Sequence, residues 1–192
     1  MGKIYLVRHG QSEDNAAGVL GGRRDSSLTR LGREQAERVA EGLRAEKIDL
    51  IYASPLKRSL DTARIIAGRL GIEDMKIDDN LMERDFGILS GKPYAETGKY
   101  ATGVIRVGPV EYFLHAEGAE EFPALLLRAR EVLAEVREKH ADDNVLLVTH
   151  SDLGKMIRAA YYGWTWEEGL RDSIFSNTDV FELTEDRLVY KK

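Results

Sequence analysis

Two histidines end two similar runs of this chain: residues 3–10 read KIYLVRHG and residues 144–151 read NVLLVTHS. In each, an apolar and largely β-branched segment delivers its histidine directly after a strand-like run. An imidazole so placed can attack an electrophile, move a proton or stabilise an anion. A lone strand-end histidine is more often structural than catalytic, so the neighbours carry the reading. Arg8 presents a fixed cation whose planar fork suits phosphate or carboxylate. Gly10 permits a tight turn or the close approach of a ligand, and Ser12 and Asn15 add polar groups just beyond. Anion chemistry fits this set.

A second cluster, Ser54-Pro55-Leu56-Lys57-Arg58, lies at a strand-to-helix junction. Arg58 falls one turn into the expected helix and could turn back over a crevice; standing alone, it would serve equally as an exposed ion-pair partner. Lys57 reads as the solvated neighbour. The third cluster is Glu83-Arg84-Asp85-Phe86-Gly87, where Glu83 follows the apolar Leu81-Met82. A carboxyl beside a cleft with restricted water can hold its proton near neutral pH and give it to a leaving alkoxide. An ordinary ion pair is the alternative for Glu83. Histidines with acidic neighbours also raise a metal site, but neither His9 nor His150 has a second histidine at ligand spacing, and adjacent arginines disfavour a bound cation. No metal ligand and no cofactor is therefore assigned. His140 reads as a surface residue at a helix C-terminus, where its charge is tolerated. His115 falls in an irregular stretch and could either touch substrate or play a neutral loop role.

Elements must bring these clusters together. Near-continuous apolar runs suit central strands of a parallel sheet covered on both faces. If both histidine-bearing strands share such a sheet, His9 and His150 emerge together at its carboxyl edge, where open α/β folds place their ligand crevice. Residues 31–47 read as an amphipathic helix capped by Thr29, with Leu31, Ala36, Val39, Ala40 and Leu43 inward. A strand at 49–53 precedes a helix that Ser54-Pro55 would start and Gly71 would end. A short strand surrounds Ile77. Residues 85–118 are read mainly as an irregular cap over the cleft, followed by a helix at 120–139, the second histidine strand, a helix at 152–162 and a strand pair at 179–190 turning at Glu185-Asp186.

The expected architecture is a three-layer α/β/α sandwich with a mostly parallel central sheet, in a single domain over residues 1–192, a length and an apolar content of 43% ordinary for one soluble unit. The absence of cysteine excludes thiol catalysis, cysteine-ligated zinc and disulfide scaffolding. No run of about 18 apolar residues and no signal peptide is recognised, so the expectation is a cytoplasmic protein without a membrane partner. A net charge of -5 argues against nucleic acid as the main partner. The run Leu188-Val189-Tyr190 is an edge strand that a homodimer could use for pairing.

The ordered set of motifs resembles the histidine phosphatase superfamily, in the branch of the cofactor-dependent phosphoglycerate mutases and the fructose-2,6-bisphosphatase-like enzymes. It comprises Leu6-Val7-Arg8-His9-Gly10-Gln11-Ser12-Glu13-Asp14-Asn15, Gly22-Arg23-Arg24-Asp25 with Leu28-Thr29 and Gly32, and Ser54-Pro55-Leu56-Lys57-Arg58 with Thr62-Ala63. Beyond these stand Glu83-Arg84-Asp85-Phe86-Gly87 with Gly91, Glu120, Val148-Thr149-His150 and Asn177. The resemblance implies a phosphoglycerate mutase-like fold and a phosphate pocket of Arg8, His9, Arg58 and His150, with His9 as nucleophile, a protonated His150 and Glu83 as general acid. Asn15, Arg23 and parts of the 85–118 region would contact the substrate. Two departures stand out: Ser151 replaces the family's glycine, still offering a backbone amide or a hydroxyl, and the Gly-Glu-Ser passage reads Ala119-Glu120-Glu121, adding negative charge if Glu121 faces the mouth. Mutases carry an arginine-rich and proline-rich insert, for which this chain has only Arg106. Hydrolysis of a small phosphorylated metabolite is thus the expectation; a mutase-type phosphoryl transferase and a non-catalytic phosphate-binding module are the alternatives.

Overall fold

In the computed structural model, which describes residues 2–184 and 190–191, the chain runs β1 (Ile4–Arg8), α1 (Glu13–Ala16), α2 (Arg30–Leu43), β2 (Leu50–Ala53), α3 (Lys57–Leu70), β3 (Met75–Ile77), β4 (Ala101–Val107), β5 (Val110–Ala116), α4 (Phe122–Lys139), β6 (Val145–Thr149), α5 (Ser151–Tyr162), α6 (Trp166–Arg171), β7 (Val180–Leu183) and β8 (Tyr190–Lys191). Among the described residues the main sheet has the order β3-β2-β6-β1-β7-β8. Its first four strands are mutually parallel, and β7 and β8 continue it antiparallel. This is an α/β sandwich with a mixed, mostly parallel central sheet.

Strand alternation divides the core. Leu6, Tyr52 and Leu147 pack on one face with Leu126 and Leu133 of α4 and Leu153 and Ile157 of α5. Tyr5, Val7, Ile51, Leu146 and Val148 meet Val39 and Ala40 of α2 and Ala63 and Ile66 of α3 on the other. Burial on both faces explains why β1, β2 and β6 read as continuous apolar runs. The β1–β6 register pairs Arg8 with Thr149, so the residues that follow, His9 and His150, leave the sheet side by side.

The turn after His9 lies directly on the start of α2. A methyl at Gly10 would come within 2.3 Å of the Gly32 carbonyl oxygen, and one at Gly32 within 2.1 Å of that of Gln11. Only two glycines allow this backbone contact.

Thr29 caps α2 and Gly71, with φ 71°, ends α3, both as expected. Several details differ. Leu31 is 43% exposed rather than inward, because α2 presents Gly32 and Ala36 to the core instead. α3 starts at Lys57 with Leu56 as its cap, and the Ser54 hydroxyl is engaged elsewhere. The 85–118 stretch is not mainly irregular: β4 and β5 form an antiparallel hairpin across Gly108-Pro109, Gly108 taking the positive φ of 56° that a two-residue connection needs. The helix α6 had no sequence counterpart. Of the C-terminal expectation, β7 and β8 pair as described, while the turn at Glu185-Asp186 and the Leu188-Val189 part of the edge strand lie outside the described residues. Among those described, no helix is long and apolar enough to cross a membrane.

Candidate active site

His9 and His150 sit at the carboxyl edge with ring centroids 5.0 Å apart. His9 Nδ1 lies 2.7 Å from the Gly10 carbonyl oxygen, which fixes the ring proton on Nδ1, and Arg58 Nε donates to Nε2 at 3.1 Å. Burial, then the charges of Arg58 and Arg8, hold the His9 imidazole neutral, well below the usual histidine range. His9 thus carries an unprotonated Nε2 aimed at a guanidinium. Asn177 donates to the His9 carbonyl oxygen at 2.9 Å and to Asn15 Oδ1 at 3.2 Å, tying the β7 approach to the α1 turn.

His150 is fully buried beside His9. Ser54 Oγ, which accepts from the Leu56 N–H, lies 2.8 Å from His150 Nε2. The hydroxyl can direct its own hydrogen at Nε2, leaving the ring proton on Nδ1, a buried atom without a hydrogen-bond partner among the described residues. Burial and the charges of Arg58, His9, Arg8 and Arg128 lower the His150 pKa well below the ordinary value. This environment favours the neutral ring over the protonated one that the resemblance implies; a phosphate dianion beside it would act in the opposite direction.

The arginines are held rather than loose. Arg58 does turn back: its Nη1 and Nη2 donate to the carbonyl oxygens of Arg24 and Gly22 at 2.8 and 2.7 Å. Arg8 Nη1 donates to the Phe175 carbonyl at 2.7 Å, and its buried Nε has no partner among the described residues. That carbonyl belongs to a loop anchored by Lys155, whose buried ammonium donates to the Asp172 and Ser173 carbonyls and is pushed down to about 8 by burial. Lys57, as expected, is exposed.

Glu83 lies at the start of α5, where helix N–H groups point outward. Its Oε2 accepts from Ser151 N at 3.0 Å, and its Oε1 from Arg84 N at 2.9 Å and Leu153 N at 3.3 Å. Behind it, Arg128 donates to the carbonyls of Asn80 and Met82 and pairs with Glu120, clamping the segment that presents Glu83. Asp152, missed by sequence reasoning, brings a second carboxyl; burial first, and then the Glu83 charge, raise its pKa well above the ordinary carboxylate range. Arg84, 2% exposed, has no role assigned from sequence beyond its place in a motif. It donates to the carbonyls of Glu120, Phe113 and Leu114 and stacks on Phe122 at 3.9 Å, fastening β5 to the site.

These groups open onto a cleft of about 530 Å³ lined by Arg8, His9, Ser12, Asn15, Arg58, Glu83, Ser151 and Asp152. Ser12 and Asn15 also cap α1 reciprocally. His150 is not in the lining but lies directly behind His9. Gly10 faces α2, not the cleft, because its backbone meets Gly32 and its N–H donates to Thr62. Arg23 is likewise outside the lining, drawn away by Asp85 and Glu120. His115 is exposed and pairs with Glu121, so neither faces the cleft. His140 is not a free surface residue: its ring, 11% exposed, bridges Asp143 and Lys76 far from the site, at the other end of β6. No group of acidic, histidine or cysteine side chains able to hold a metal occurs among the described residues.

The sequence profile of the histidine phosphatase superfamily (branch 1) matches residues 4–188. Phosphoserine phosphatase 1 of Hydrogenobacter thermophilus is 36% identical over 100% of this chain and 92% of its own length. Phosphoglycerate mutase-like protein 4 of Arabidopsis thaliana is 34% identical over 83% of this chain and 69% of its own. In solved structures, the mycobacterial glucosyl-3-phosphoglycerate phosphatase in complex with VO3 superposes with a TM-score of 0.81 at 25% identity, over 96% of this chain and 91% of that one. Given the arrangement above and these matches, the chain belongs to the histidine phosphatase superfamily (branch 1) and is an enzyme with that superfamily's hydrolase chemistry.

Proposed function

We propose that this enzyme hydrolyses small phosphomonoesters, without a metal, through a phosphohistidine on His9. The observation that carries this reading is the division of labour on one ring: Nδ1 is held by the Gly10 carbonyl at 2.7 Å, leaving Nε2 as a lone pair beside Arg58. Arg8, which lines the cleft and whose Nε has no partner among the described residues, would donate to phosphoryl oxygens, as would Arg58 once its Nε–H moves from His9 Nε2 to the phosphoryl group as substrate enters. Nε2 then attacks phosphorus while the bond to the leaving alkoxide breaks, and a proton held by the Glu83–Asp152 pair passes to the alkoxide. In the second half, water gives a proton back to that pair and attacks phosphohistidine, releasing inorganic phosphate and restoring His9.

Phosphatase is favoured over mutase because Arg106, the arginine of the cap, pairs with Glu111 at the hairpin surface and does not line the cleft. The test is phosphate release from p-nitrophenyl phosphate and alkyl phosphates in EDTA, with and without 2,3-bisphosphoglycerate. The parent chain should turn over and His9→Ala should lose at least about a thousandfold, while Glu83→Gln should spare p-nitrophenyl phosphate far more than alkyl esters. Turnover that survives in H9A, or appears only with bisphosphoglycerate and 3-phosphoglycerate, would overturn the reading.

A further inference from the structure

Hydrolysis at His9 leaves the alcohol half of the substrate open, and the outer walls of the cleft bear on it. Beyond the phosphate groups those walls include Leu20, Phe86, Leu89, Tyr94, Val110 and Ile174. They come from four separate parts of the chain: the loop after α1, the stretch before the hairpin, the hairpin tip and the loop before β7. The tip closes on that last loop, since a methyl at Gly108 would lie 3.5 Å from Ile174 Cδ1.

Beyond the phosphate pocket, the charges on these walls are already committed. Among the described residues, Arg84 is the only cation of the lining besides Arg8 and Arg58, and its donors are committed to three backbone carbonyls. The cations nearby in sequence point elsewhere: Arg23 pairs with Asp85 and Glu120, Arg24 with Asp14, and Lys92 lies over the Tyr100 ring. Apart from Glu83, the remaining acidic lining residues are Glu111, which pairs with Arg106, and Asp152, which lies 3.7 Å from Arg84. A carboxylate or second phosphate on the alcohol half would therefore lose water against apolar side chains, with no uncommitted cation among the described lining residues to receive it.

We infer that the cleft selects phosphomonoesters of apolar, uncharged alcohols, aryl or alkyl, and rejects those whose alcohol half carries a second anionic group. This deepens the phosphatase reading and rests on it for turnover, but ligand binding tests it separately. Calorimetric titration of the parent chain with phenylphosphonate and 4-carboxyphenylphosphonate needs no catalysis. The added carboxylate should weaken binding at least about tenfold, and Val110→Lys, which puts a cation on the wall, should narrow that gap. In turnover, kcat/KM for α-naphthyl phosphate should exceed that for phosphoserine and 3-phosphoglycerate by at least about tenfold. Equal or tighter binding of the carboxylate, binding of neither phosphonate, a gap unmoved by V110K, or preference for the two acidic esters would each overturn the inference. Phosphonate selectivity without H9A-sensitive turnover would instead defeat the phosphatase reading and leave the selectivity standing.

Discussion

At the scale of single residues, the site works by giving each polar atom one assignment. His9 is neutral because burial and two arginines oppose its proton, and directional because one carbonyl holds Nδ1. The pH consequence has a definite sign. Both site histidines have folded pKa values depressed below their unfolded value, so in acid the unfolded chain binds protons that the folded chain does not. Their burial is harmless to stability above about pH 6.5, and below it each costs about 1.4 kcal/mol per pH unit until its folded pKa is reached. Urea unfolding of the parent chain should therefore lose stability more steeply between pH 6.5 and pH 5 than that of H9A, by about that slope. Parallel slopes would mean that His9 titrates as an exposed imidazole.

At the scale of elements, β1 and β6 bring two histidines together, the start of α5 receives Glu83, and Arg84 fastens the β5 edge of the cap. Replacing Arg84 by Met removes donors to three carbonyls at once. A buried acceptor left unpaired costs about 1–3 kcal/mol, so R84M should lose at least about 3 kcal/mol in urea unfolding and raise KM for α-naphthyl phosphate more than it lowers kcat. Unchanged stability with unchanged KM would show that the hairpin is held by other contacts. The strands and long helices were legible because their periodicity follows from which faces they bury, as Phe122, Leu126, Ala129, Leu133 and Val136 on α4 show. The hairpin was not, because its half-exposed strands carry glycine, arginine and histidine among the apolar residues. Nor was the true start of α3, since the Ser54 hydroxyl that would cap a helix is used to orient His150.

At the scale of the molecule, the clusters around His9, Arg58 and Glu83 come from widely separated segments, and the parallel sheet is what makes them neighbours. Sequence could name His9 because strand-end positions on a parallel sheet share one edge, and Arg58 and Glu83 through the motifs that resemble the family. It could not see Asp152, whose role depends on packing against Glu83, nor that Gly10 and Arg23 turn away from the cleft; such orientations are set by contacts with Gly32 and Glu120 that no local pattern encodes. The matches over nearly the whole chain agree with this architecture. The most direct measurement of the central claim is rapid acid-free quenching of the parent chain during turnover of p-nitrophenyl phosphate, followed by peptide mass spectrometry. A phosphoryl group on His9, absent from H9A, is the expected result; steady turnover with no adduct, or with the adduct on another residue, would contradict it.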